Sequence, residues 1–198
     1  MKLVQRRLAT ASAVLMMGTP IMSVGAVASA MTATDAPPVT SAADFGPACG
    51  AVPKGGAGSF AGMTKAPVAT AASHNPVLST LVAAVEKAGL ADTLNNAKGL
   101  TVFAPDNAAF AAVSKATLSA ILANKAELTK LLEYHVVAGR LSPAAVIGVH
   151  KTIEGETISV AGSGNSFDVN GTSQVVCGNV QTANAAVYIV NSVLNPSA

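Results

Sequence analysis

The sequence predicts an α+β domain with an antiparallel sheet. Three observations lead there. Between residues 75 and 135 apolar side chains recur at three- and four-residue spacings, as on one face of a helix. After His150 they alternate with polar ones around Gly- and Asn-rich turns, as in hairpin strands. Helical patterning first and strand patterning later is the order of an α+β chain, and the body between the two loose ends is about 130 residues, a normal size for one domain.

The chain has 198 residues, and its first thirty differ in kind from the rest. Lys2, Arg6 and Arg7 form a basic start, Leu8 to Val27 is rich in Ala, Met, Val and Leu, and Ala28-Ser29-Ala30 supplies small residues for a signal peptidase. This pattern predicts a secretory signal peptide over 1–30, cleaved after Ala30. Thr10, Ser12, Gly18, Thr19 and Pro20 interrupt the apolar run, so it does not read as a membrane span. The Arg6-Arg7 pair alone does not make a twin-arginine signal, and Met31 rather than Cys follows the cleavage point, which argues against a lipid anchor. Residues 31–63 read as a flexible arm. "MTATDAPPVTSAA" lacks any periodicity, "VPKGGAGSFAG" is Gly-rich, and Cys49 lies between them.

The domain is expected over 64–196. Asn75-Pro76 caps and opens a helix whose Val77, Leu78, Leu81, Val82 and Val85 share a face, and Gly89 ends it. "LTVFAP" (100–105) reads as a buried strand closed by Pro105. Asp106 caps the short helix of "NAAFAAV", and Ser114 opens another with Leu118, Ile121 and Leu122 inward. A further helix starts near Lys125, and Ser142-Pro143 begins a brief last one. "TISVAG" and "NSFDVNG" then flank a Gly162-Ser163-Gly164 turn. Asn170-Gly171 reads as a tight hairpin into "TSQVVCGNV" rather than as part of a glycosylation signal, and "AVYIVNSVL" gives a nearly continuous apolar strand.

Composition excludes several functions. Twelve Lys and Arg face ten Asp and Glu, but three of the basic residues lie in the signal peptide, which leaves nine against ten. A near-neutral secreted chain has no basic surface for phosphates, so no nucleic acid partner is expected. Cys49 and Cys177 are the two cysteines of a chain bound for an oxidising compartment, which favours a disulfide over two separate buried thiols. The loop it would close, about 128 residues, is worth roughly 5 kcal/mol in the chain-entropy model. No metal and no cofactor is expected, since two cysteines without neighbouring His do not make a zinc site.

Catalysis needs convergent groups. His74 and His150 read as surface residues, no GxSxG elbow occurs, and "AGSGNS" lacks the Lys that follows a phosphate loop. Glu154 and Glu156 share a strand face without a partner base. Glu127 and Glu133 lie on different helix faces. No enzyme is expected.

The most informative stretch is "LTKLLEYHVV" (128–137). Leu128, Leu131, Leu132 and His135 form an i, i+3, i+4, i+7 stripe, so His135 is expected to be buried as a neutral imidazole bonded to the Asp106-Asn107 corner or to a sheet carbonyl. Tyr134 lies about 100 degrees around the helix and, with Glu133, is expected to face a partner.

"TVFAPDNAAF" (101–110), "LLEYHVVAGRLSP" (131–143) and "VYIVNSVLNP" (187–196) together resemble the first conserved block, the Tyr-His block and the second conserved block of the fasciclin domain family, in the family's order. With "HNPVLSTLVAAVEKAGLADTLN" the resemblance covers about Lys65 to Pro196. It implies a wedge of two mainly antiparallel β-sheets with helices packed along one edge. It also implies a secreted or surface-displayed module for cell adhesion and matrix contact. In some animal members adhesion is assigned to the Tyr-His block, matched here by Tyr134 and His135, and to an Asp-Ile pair, which falls on Asn179-Val180 without the carboxylate. Asn191 stands where the second block commonly has Asp. The resulting expectation is a monomeric, non-enzymatic module for an extracellular or cell-envelope protein or glycan. The alternative is a carrier of an apolar or carbohydrate ligand, held between helices and sheet.

Overall fold

The structure is a computed structural model that describes residues 43–196. The expected signal peptide and the tether as far as residue 42 lie outside the described residues. Among the described residues seven α-helices and seven strands follow in chain order: α1 (Phe60–Met63), α2 (Val68–Ser73), α3 (Ser79–Ala88), α4 (Ala91–Asn96), β1 (Leu100–Pro105), α5 (Asn107–Ala112), α6 (Lys115–Ala123), α7 (Lys125–Tyr134), β2 (Val136–Ala138), β3 (Gly148–Lys151), β4 (Thr157–Ser163), β5 (Ser166–Val169), β6 (Ser173–Gln181) and β7 (Ala185–Val190).

Local chemistry sets most helix ends. Asn75 Oδ1 accepts from the Val77 N–H and caps a 3-10 turn (Pro76–Leu78) that runs into α3. Gly89, left-handed at φ 76, ends α3. Asp106, Ser114 and Asn124 cap α5, α6 and α7 with side-chain oxygens that accept backbone N–H groups. The brief helix expected at Ser142-Pro143 is a single turn instead. The N–H groups of Ala145 and Val146 both reach the Ser142 carbonyl, and the chain then opens toward β3.

The strands form one sheet in the order β2-β1-β7-β6-β5-β4-β3. Its two halves make the wedge and are continuous through β6, whose start pairs with β5 and whose remainder pairs with β7 across two register shifts. Pairing is antiparallel except between β1 and β7, which run parallel from Leu100↔Ala185 to Pro105↔Val190. That central pair is buried on both faces, as parallel strands require. Strand alternation then sorts the side chains into two cores. Leu100, Val102, Ala104, Ala185, Val187 and Ile189 join Leu81, Val85, Leu128 and Leu132 under the helices. Phe103, Ala186, Tyr188 and Val190 face the other way, against Ile158, Val160, Phe167 and Val169 of the second half.

Cys49 and Cys177 form the disulfide, with Cα atoms 4.9 Å apart. Residues 44–63, part of the stretch read as a flexible arm, are anchored by more than the disulfide. Phe45 exchanges two backbone hydrogen bonds with Gly178 and packs its ring, tilted by 46°, against Phe167 at 5.1 Å between ring centroids. Val52 and Met63 are buried in the helix-side core. Sequence patterning missed them because single apolar residues spaced among glycines show no period. Gly178 makes the approach possible, since a Cβ there would lie 2.2 Å from the Phe45 ring. Gly178→Ala is therefore expected to dislodge Phe45 and cost about 1–3 kcal/mol of stability, the usual range for overpacking. Urea unfolding checks this, and an unchanged midpoint would show that Phe45 contributes nothing.

Candidate functional site

The Tyr-His block closes α7. Its residues diverge because the helix ends there: the β-branched Val136-Val137 pair turns into β2, antiparallel to β1. His135 is 2% exposed. Its Nδ1 lies 2.8 Å from the Leu131 carbonyl oxygen and its Nε2 lies 3.0 Å from the Leu194 backbone nitrogen. A carbonyl only accepts and an amide N–H only donates, so the ring must be neutral with its proton on Nδ1. Burial pushes its pKa down from 6.5 to about 4, against the opposing pull of the Leu131 carbonyl. The backbone carbonyl of the same residue accepts from the Phe103 N–H at 2.8 Å. His135 is thus a brace, as the leucine stripe suggests, but its partners are a helix carbonyl and the chain leaving β7 rather than the Asp106-Asn107 corner or a sheet carbonyl.

Tyr134 overturns the expectation placed on it. It is 3% exposed and belongs to the sheet-side core. Its hydroxyl donates to the Thr157 carbonyl at 3.3 Å and accepts from the Asn170 amide at 3.0 Å, which ties α7 to the hairpin turn. The angular separation from His135 is real, but the wedge folds a second sheet half over the direction in which Tyr134 points. Glu133 remains half-buried at the surface.

The other named residues fasten elements together. Asp106 Oδ1 accepts from the Ala109 N–H at 2.6 Å. Asn107 accepts from the Thr80 N–H and donates to the Pro76 carbonyl, clamping the start of α3 to α5. Asn191 accepts from the Gln174 N–H at 2.8 Å. Asn179 is left-handed at φ 62 and buried at one of the irregularities of β6, where the Gln181 amide reaches its Oδ1 at 2.7 Å, and Val180 is buried beside it. His74 and His150 bond the carbonyls of Thr70 and Val146. Among the described residues no group of three or more His, Cys, Asp or Glu could hold a metal. No helix among them is long and apolar enough to cross a membrane.

Two further features bear on function. One is a cavity of about 220 Å³ between α2, α3 and α4 and the helix-facing side chains of the sheet. The other is a row of exposed apolar residues, Ile147, Val149 and Ile153, at 44, 68 and 47% exposure. Ile147 and Val149 flank Gly148 at the start of β3, an end strand of the sheet, and Ile153 lies two residues beyond its end, where it also lines the cavity. The i, i+2 spacing of Ile147 and Val149 was the available signal, but the strand pattern reads clearly only after His150.

A two-half β-wedge with a helix-covered face and a braced Tyr-His corner is the architecture of one class of small α+β domain. The chain belongs to the fasciclin family: the fasciclin domain model matches residues 76–196. It is 45% identical over 177 residues to immunogenic protein MPB70 of Mycobacterium bovis, covering 85% of this chain and 91% of that one. It is 43% identical over 178 residues to cell surface glycolipoprotein MPB83 of the same species, covering 82% and 80%. A solved FAS1 domain pair from the insect cell adhesion molecule Fasciclin I superposes with a TM-score of 0.56 at 16% identity. It matches 68% of this chain, which spans about half, 52%, of that structure, so the likeness is one of fold.

The His135 geometry predicts a pH dependence. The unfolded imidazole takes up its proton near pH 6.5 and the folded one only near 4, so acid favours unfolding. The stability that neutral His135 supplies is complete above pH 6.5 and falls by about 3 kcal/mol as the pH drops to 4. Urea unfolding of the protein and of His135→Gln across that window should show the extra slope in the former alone; parallel pH curves would contradict it.

Proposed function

We propose that the protein is a secreted, non-catalytic interaction module that contacts an extracellular or cell-envelope protein through the outward row of Ile147, Val149 and Ile153. The observation that carries this reading is the exposure of three branched apolar side chains in and beside an end strand, a position that natural sheets commonly protect. Membership of the fasciclin family and the naming of one relative as a cell surface glycolipoprotein support the location. An apolar row favours a protein surface over a glycan, because sugar recognition depends on polar groups. The burial of Tyr134 and Asn179 supports a contact site separate from the Tyr-His block and from the Asn179-Val180 position.

Contact of this kind does not need a divalent ion. Crosslinking pull-down from envelope and host-matrix fractions should therefore recover a partner in the presence of chelator. Val149→Asp, at the most exposed position of the row, should reduce recovery at least tenfold without changing the thermal midpoint. Equal recovery by the folded Val149→Asp and Ile153→Asp variants would overturn the assignment.

A further inference from the structure

We propose that the cavity between the helices and the sheet is a binding site for a neutral, slender lipid: one aliphatic or isoprenoid chain ending in an uncharged oxygen group. The space originates in the sequence. α2 reads "VATAAS", and Ala69 and Ala72 line the space opposite Ala104 of β1, where larger side chains would have filled it. Protein interiors pack at crystal-like density and seldom leave voids larger than a water molecule. Here an apolar space of about 220 Å³, open on one side to solvent and bounded by Leu81, Val85, Leu94, Val187 and Ile189, exposes surface that a ligand would cover.

Its size and rim select the ligand. The volume exceeds the roughly 150 Å³ of an engineered apolar cavity that takes benzene, yet it falls short of the roughly 300–1,000 Å³ of drug-sized sites. That suits a single chain. Glu86 is exposed and Glu133 half-exposed where the lining reaches the surface, and Lys130 of the same helix as Glu133 pairs with Glu154. Two carboxylates at the edge repel a fatty-acid anion and leave an alcohol, ester or ketone unopposed. Deeper in, Asn75 lines the space at 1% exposure. Its Oδ1 is taken by the Val77 N–H, while its amide nitrogen has only the Met63 sulfur at 4.0 Å. Thioether sulfur is a weak acceptor, so this amide is suited to donate to a ligand oxygen.

The test uses the purified protein and the neutral fluorophore N-phenyl-1-naphthylamine, displaced in turn by 1-decanol and by decanoate at pH 7. Saturable binding at one equivalent is expected, with decanol at least tenfold stronger than decanoate. Glu86→Gln/Glu133→Gln should narrow that gap. Val82→Trp, at a half-buried lining position of α3, should weaken the fluorophore at least tenfold while circular dichroism stays native, and Ala72→Leu provides a second obstruction should the Trp variant fail to fold. Absence of saturable binding, or unchanged affinity in a folded obstructed variant, would overturn the site. Decanoate binding as well as decanol would overturn the neutral-ligand assignment.

Discussion

One histidine, through its ring and its backbone carbonyl, holds three parts of this fold in register. His135 uses Nδ1 to close the last turn of α7, its backbone carbonyl to take the Phe103 N–H of β1, and Nε2 to take the Leu194 N–H beyond β7. β1 and β7 are the parallel pair buried on both faces, and parallel strands cannot be set in register by a tight turn between them. A residue whose backbone carbonyl meets β1 and whose ring meets the exit of β7 supplies that registration. Accepting the Leu194 N–H at Nε2 while donating from Nδ1 requires a neutral ring, so the arrangement is sensitive to acid in a way that leucine packing is not.

The consequence for function is a separation of roles. The motif that marks the family is spent inside the fold: His135 serves the helix-side junction and Tyr134 the sheet-side core. Removing the Tyr134 ring would empty a core position, which costs about 3–5 kcal/mol for large aromatics. Lost adhesion in such a variant would report damage to the fold as readily as a missing contact. The surfaces proposed to meet other molecules lie elsewhere, on the β3 side and at the rim of the helix-sheet cavity.

Much of the fold was legible because local chemistry and tertiary packing agree. The caps at Asn75, Asp106 and Ser114, the Gly89 stop and the Asn170-Gly171 hairpin each satisfy backbone groups within a few residues, and each is where the sequence places it. The disulfide followed from compartment and count. What was not legible is non-local. α2 and α4 are short and rich in Ala and Asn, and they owe their ends to Asn184, far along the chain. Its amide donates to the carbonyls of Leu94, Asn95 and Ala97 while its oxygen accepts from the Val68 N–H. The cavity is equally hidden, since small residues on α2 produce a void only once β1 stands opposite. Tyr134 misled because helical angle gives a direction, and only topology reveals what stands there.

The central claim is that His135 is a neutral Nδ1-protonated brace, and the ring nitrogens themselves report on it. In a long-range nitrogen-proton correlation spectrum, His135 should show Nδ1 as the protonated nitrogen and Nε2 as the bare one. Both signals should hold their positions as the pH is lowered from 7 to 5. A ring protonated on Nε2, or one that titrates near pH 6.5, would contradict the account.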